Sequence, residues 1–143
     1  SVTDRFADSC APDLAAQIAL WRRWLSSEKN VSPHTLRAYT TDVASFVQFL
    51  TLHHGRPPSL NDIGDVALRD FRAWLSQRAQ DGLAASSRAR SLSGIKNLLA
   101  WLDREGVVHN PAIATVRTPK LPHKLPRPLY EGQALQLMEG TED

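Results

Sequence analysis

Residues 31–50 read VSPHTLRAYTTDVASFVQFL, and the spacing within this stretch decides the fold class. Ser32 followed by Pro33 is a helix start. A serine hydroxyl can accept a free N–H of the first turn, and proline at the first helical position gives up an N–H that would have no intrahelical partner. Leu36, Tyr39, Val43, Phe46 and Leu50 then recur at steps of three and four, the signature of one face of an α-helix, until Gly55 stops the pattern.

Three further stripes flank this one. Upstream, Pro12 opens a run of Leu14, Ile18, Trp21 and Leu25 that fades at Ser26 and Ser27. Downstream, Asp65 as a cap leads into Leu68, Phe71, Leu75 and Ala79, ending at Gly82; the last pattern starts near Ser86 and runs through Leu92, Ile95, Leu99 and Leu102 to Gly106. Residues 55–62, GRPPSLND, read as a turn-rich connector, and Asn110 with Pro111 opens one short helical turn. Nothing alternates apolar and polar residues for long enough to make a strand. The expected fold is therefore all-α, a compact four-helix bundle whose consecutive helices pack antiparallel across short connectors. Trp21 is in phase with its stripe, Trp24 and Trp74 lie at stripe edges, and Trp101 lies off its stripe and is expected either to cover a neighbouring element, the preferred reading, or to meet a partner.

The chain has 143 residues, 42% hydrophobic and 22% charged, which is one domain's worth of ordinary globular composition. Cys10 is the single cysteine, so no internal disulfide is possible, and a thiolate zinc site is not expected. No apolar run reaches the roughly 18 residues of a membrane span, and the first residues lack a basic region followed by an apolar one. A cytoplasmic protein without a membrane partner is the expectation. Sixteen of the seventeen Lys and Arg residues but eight of the fifteen acids lie in residues 14–128, a net +8 between ends of −2 and −4. A basic body fits a polyanionic partner, and equally a solvated surface. Residues 117–128, RTPKLPHKLPRP, carry four prolines and four cations with no acid, and read as an extended linker spanning roughly 37 Å at about 3.1 Å per residue. Such a segment either spaces two domains or tracks a duplex. Residues 129–139 read as one more short helix.

Phasing the fourth stripe inward sends Ser86, Arg90, Ser93, Asn97 and Arg104 outward, and phasing the second does the same for His34, Arg37, Ala38, Thr41, Ser45 and Gln48. Neither face contains an acid. Arg and Asn can read base edges, small hydroxyls can bond phosphate, and the N–H groups beside Thr35 offer a site for a phosphate oxygen. Chemistry other than binding is absent from the pattern: the seven glycines are scattered singly, Tyr39 and Tyr130 have no base nearby, and the adjacent His53 and His54 point apart and are expected to face solvent at a helix end. No catalytic residue, metal or cofactor is assigned.

Ser32, Thr35, Tyr39, Asp42, Phe46 and Leu50 together resemble the S-x-x-T-x-x-x-Y-x-x-D pattern of the amino-terminal domain of Xer-type tyrosine recombinases. Residues 86–102, SSRARSLSGIKNLLAWL, are similar to that family's fourth helix, and the NPA at 110–112 followed by Pro119, Lys120, Leu125 and Pro126 continues in the same order. Gly94 departs from the family's usual alanine. The resemblance implies a SAM-like core-binding domain forming half of a clamp on a double-stranded DNA core site. Carried over by position, the second helix supplies His34, Thr35, Arg37 and Thr41, the fourth supplies Ser86, Ser87, Arg90, Ser93 and Asn97, and the linker supplies Arg117, Lys120 and Lys124. It implies a layout of tail (1–13), core-binding domain (14–116), linker (117–128) and the start of a catalytic domain (129–143) that ends before the first catalytic arginine. In such a family the whole protein pairs with a second recombinase protomer, and it cuts and rejoins strands through a phosphotyrosine without metal or nucleotide, in chromosome dimer resolution or DNA integration. From the residues alone, a helical protein-interaction module or a transcriptional regulator stays open.

Overall fold

A computed structural model describes residues 9–119, which form five α-helices and a 3-10 turn: α1 (Pro12–Ser27), α2 (Pro33–His54), α3 (Leu60–Gly64), α4 (Leu68–Gln80), α5 (Ala85–Arg104) and the 3-10 helix Pro111–Thr115. No strand occurs among the described residues. The fold is all-α, as the spacing predicts. Lys120, Lys124 and the expected helix at 129–139 lie outside the described residues.

The helix ends follow local chemistry. Ser32 accepts the Thr35 N–H at 3.1 Å, Pro33 is the first helical residue of α2, and Gly55 closes it in the left-handed region at φ 80°. Two starts differ from the sequence reading. Asp65 is not the cap of α4; it terminates α3, and α4 begins after Ala67, whose N–H is taken by the Asp70 carboxylate at 3.0 Å. The connector at 55–62 contains the start of α3, which the Ser59 hydroxyl and the Asp62 carboxylate close reciprocally as a capping box.

α5 is the central element. It packs on α1, α2 and α4, and its interface with α2 is the most extensive. This explains why its apolar stripe is broader than the four leucine and isoleucine positions of the pattern: Ser91, Gly94, Leu98 and Trp101 are buried as well. On α2 the buried set is likewise wider, adding Thr40, Asp42 and Val47, while Leu36 and Tyr39 are half-buried. The core joins Leu14, Ile18, Trp21 and Leu25 of α1 to Phe46, Phe71 and Trp74, with the Phe46 and Phe71 rings stacked at 5.5 Å and Trp74 edge-on to Phe46 at 5.0 Å. Trp74 is thus core rather than edge, and Trp101 covers α1 through Trp24 at 6.4 Å. Gly94 is buried on α5 against Tyr39 of α2. A Cβ placed there would sit 3.1 Å from the Tyr39 ring.

Asn110 ties the end of the bundle together. Its buried amide donates to the carbonyls of Ile63 and Val66, at 2.8 and 3.0 Å, and its side-chain oxygen accepts the Ile113 N–H that starts the 3-10 turn. His53 and His54 are exposed at the end of α2, but their rings do not point apart, lying edge-on at 5.1 Å, and His53 is also engaged, with Nε2 3.2 Å from Asp70 and its ring stacked on Phe49.

Candidate nucleic-acid interface

The candidate surface is built by α2 and the first half of α5. On α2, His34, Arg37 and Thr41 are exposed, and neither the Arg37 nor the His34 side chain has a hydrogen bond or ion pair within the described residues. Thr35 is half-buried and belongs to the cap, its N–H on Ser32 and its hydroxyl accepting from the Ser32 hydroxyl at 3.0 Å. On α5, Ser86, Arg90 and Ser93 are exposed and Ser87 is half-buried. Ala84, at the N-cap of α5, has no side chain to satisfy the first N–H groups, which leaves them open to an acceptor from outside the bundle. Arg117 is exposed beyond the 3-10 turn.

Two of the phased residues are engaged differently from the sequence reading. Asn97 does not point away from the bundle. It is half-buried, and its side-chain oxygen accepts the Trp21 indole N–H at 2.9 Å, because a buried indole needs an acceptor and Asn97 lies on the α5 flank facing α1. Arg90 reaches the surface but is held from below: its Nε and Nη2 donate to the two oxygens of Asp42, each at 3.0 Å. Those hydrogen bonds raise the Arg90 pKa further above its ordinary value, against the opposing effect of burial.

Sequence phasing missed Arg78. From α4 it donates to Asp42 at 3.0 Å and to the Ser45 hydroxyl at 2.8 Å, and its guanidinium lies 5.8 Å from the Trp74 ring centre. The signal was present only in Asp42, a charge in the middle of an apolar helix that must find partners if it is buried. Among the described residues no group of three or more His, Cys, Asp or Glu is placed to hold a metal, and no helix is long and apolar enough to cross a membrane.

The electrostatics of the two helices follow from where their acids sit. In the 22 residues of α2 the one carboxylate is Asp42, which is 0% exposed; in the 20 residues of α5 the first acid is Asp103, near the C-terminal end. The exposed surface of α2 and of α5 before Asp103 therefore carries cations and hydroxyls and no accessible carboxylate.

A bundle of this construction defines a class, and comparison with known families assigns it: residues 18–106 match the phage integrase N-terminal SAM-like domain, and the chain belongs to that family. Its curated relatives include tyrosine recombinases. It is 48% identical over 92% of its length to the tyrosine recombinase XerC of Rhodospirillum centenum, and 38% identical over 90% to that of Brucella suis biovar 1. XerC of Bradyrhizobium diazoefficiens is 32% identical over 94%. The chain spans about two fifths of the length of these relatives, 38%, 41% and 42% respectively. No solved structure matches it.

Proposed function

We propose that this bundle grips double-stranded DNA with α2 and the N-terminal half of α5, as the DNA-binding domain of a site-specific tyrosine recombinase. The observation that carries the reading is the accessible charge of those two helices. Every exposed group on them before Asp103 is neutral or cationic, and their one other carboxylate, Asp42, is sealed beneath the surface. Arg37 and the open first turn of α5 bond phosphate oxygens; Arg90, Ser86 and Ser93 approach the groove. The linker cations Arg117, Lys120 and Lys124 follow the backbone. In the whole protein, strand cleavage and rejoining for chromosome dimer resolution or integration falls to a catalytic domain, working with a second recombinase protomer on the same DNA.

Fluorescence anisotropy on a labelled duplex, titrated at several salt concentrations, tests this. With about 4 to 6 phosphates neutralised, log K falls against log salt with a slope of about −4 to −5. Arg37→Ala, at an exposed and unpaired position, makes the slope shallower by about one unit while leaving thermal stability unchanged. No duplex binding, or a slope near zero, overturns the reading and leaves a helical protein-interaction module.

A further inference from the structure

We propose that Asp42, a buried residue of opposite charge to the candidate DNA face, is the positioning residue that aims Arg90 at DNA. The inference rests on the DNA-binding function proposed for α2 and α5 and assigns a role within it.

Four donors from two other helices converge on this one carboxylate. Oδ1 accepts from Arg78 Nη2 at 3.0 Å, from Arg90 Nη2 at 3.0 Å and from the Ser91 hydroxyl at 2.9 Å; Oδ2 accepts from Arg90 Nε at 3.0 Å. Asp42 belongs to α2, Arg78 to α4, and Arg90 and Ser91 to α5, so the carboxylate joins three helices at one point. Asp42 itself is 0% exposed, which keeps water from competing for these bonds.

The geometry does something specific to Arg90. Two parallel bonds through Nε and Nη2 fix both the plane of the guanidinium and the direction of its remaining edge. That edge, Nη1, has no partner among the described residues, and the side chain is 42% exposed. On α5 it lies one turn from Ser86 and one turn from Ser93, the two exposed hydroxyls of the same face. A free arginine on a helix surface samples many rotamers and must be ordered when it binds; Arg90 is ordered beforehand. Asp42 also allows the two guanidiniums to share one oxygen, an approach that their like charges would otherwise oppose.

Charge counting and positioning predict opposite signs for the same substitution. Asp42→Asn removes a negative charge from beneath a surface that meets phosphates, so electrostatics alone makes the variant bind DNA more tightly. If Asp42 acts by aiming Arg90, the variant binds more weakly, because an amide offers one acceptor where the carboxylate offers two.

Anisotropy with a short fluorescein-labelled duplex, on the parent, Asp42→Asn, Arg90→Lys and the double variant, separates the two, with circular dichroism melts setting a temperature at which each is folded. The expected result is about a tenfold loss for Asp42→Asn, a similar loss for Arg90→Lys, which keeps the charge but cannot make the paired bonds, and no further loss in the double variant. In the free protein, the Arg90 Nε–H gives its own protected signal in a 15N-edited NMR spectrum, and the signal is lost in Asp42→Asn. Affinity of Asp42→Asn equal to or above that of the parent overturns the proposal, as do additive losses in the double variant. If Asp42→Asn melts below the assay temperature, Arg90→Lys carries the test, since Arg78 and Ser91 still bond Oδ1 of the carboxylate and the lysine keeps a positive charge beside it, and parental affinity there overturns it. A parent that binds no duplex at all overturns the DNA-binding function and this inference with it, a result distinguished by the parent alone.

Discussion

Cys10 is buried against the bundle with 3% of its surface exposed, and burial, helped by the nearby Asp13 carboxylate, pushes its thiol pKa from the ordinary 9.0 up to about 11. At neutral pH it is a thiol and a poor nucleophile. Alkylation by iodoacetamide is therefore slow in the folded protein and becomes fast when the chain unfolds. Between about pH 9 and 11 the folded chain keeps a proton that the unfolded chain gives up, so stability falls as pH rises through that window and is unaffected by this group below it. A denaturant midpoint that stays flat across the window contradicts the assignment. Single residues were also where the sequence was hardest to read. Arg90 and Asn97 were placed outward by phase alone, yet phase says nothing about the neighbours that claim a side chain: Trp21 claims the Asn97 oxygen and Asp42 claims two Arg90 nitrogens. Those partners are 76 and 48 residues away along the chain, beyond any local pattern.

At the scale of elements the reading was far better, because helix ends are written locally. Pro12 and the Ser26 to Ser27 fade bound α1, and Ser32, Pro33 and Gly55 bound α2, all within a few residues of the signal. α3 was overlooked because five residues are too few to show a period; its trace was Ser59 three residues before Asp62, hidden behind two prolines. The short 3-10 turn supports a prediction of its own. Asn110 donates from its amide nitrogen to carbonyls at the end of α3 and of the segment leading into α4, and accepts through its oxygen from Ile113. Asn110→Asp keeps the acceptor and removes the donor, leaving buried carbonyls facing a carboxylate. The loss of stability should be about 2 to 3 kcal/mol, read by chemical denaturation. A change under about 0.5 kcal/mol would mean that water replaces the amide.

For the molecule as a whole, all-α character was legible from the absence of alternation, and α5 as the hub was not, since a helix buried on several sides looks from its sequence like one with a single stripe and a polar back. Charge behaves similarly. Residues 14–116 hold twelve Lys and Arg against eight acids, so half of the +8 of residues 14–128 belongs to the bundle and the other half to residues 117–128. On the proposed DNA-binding function, this makes the part expected of residues 117–128 measurable. Changing Arg117, Lys120 and Lys124 to Gln weakens binding alike on any duplex sequence, with the salt slope shallower by about one unit for each phosphate that is no longer neutralised. Unchanged affinity and slope make the segment a passive spacer.

The close approach of Gly94 to the Tyr39 ring also constrains how this protein can change over generations. A helix interior ordinarily favours alanine over glycine by up to about 1 kcal/mol, so Gly94→Ala would be an easy gain if the site were open. With a ring 3.1 Å from where the new methyl would stand, the gain depends on what occupies position 39. Shrinking Tyr39 first opens a void beneath α5, while enlarging Gly94 first crowds the ring. The two positions are therefore coupled: the gain from Gly94→Ala is realised only where the ring at position 39 can shift by a few tenths of an ångström to admit the methyl, as a tyrosine facing an alanine must.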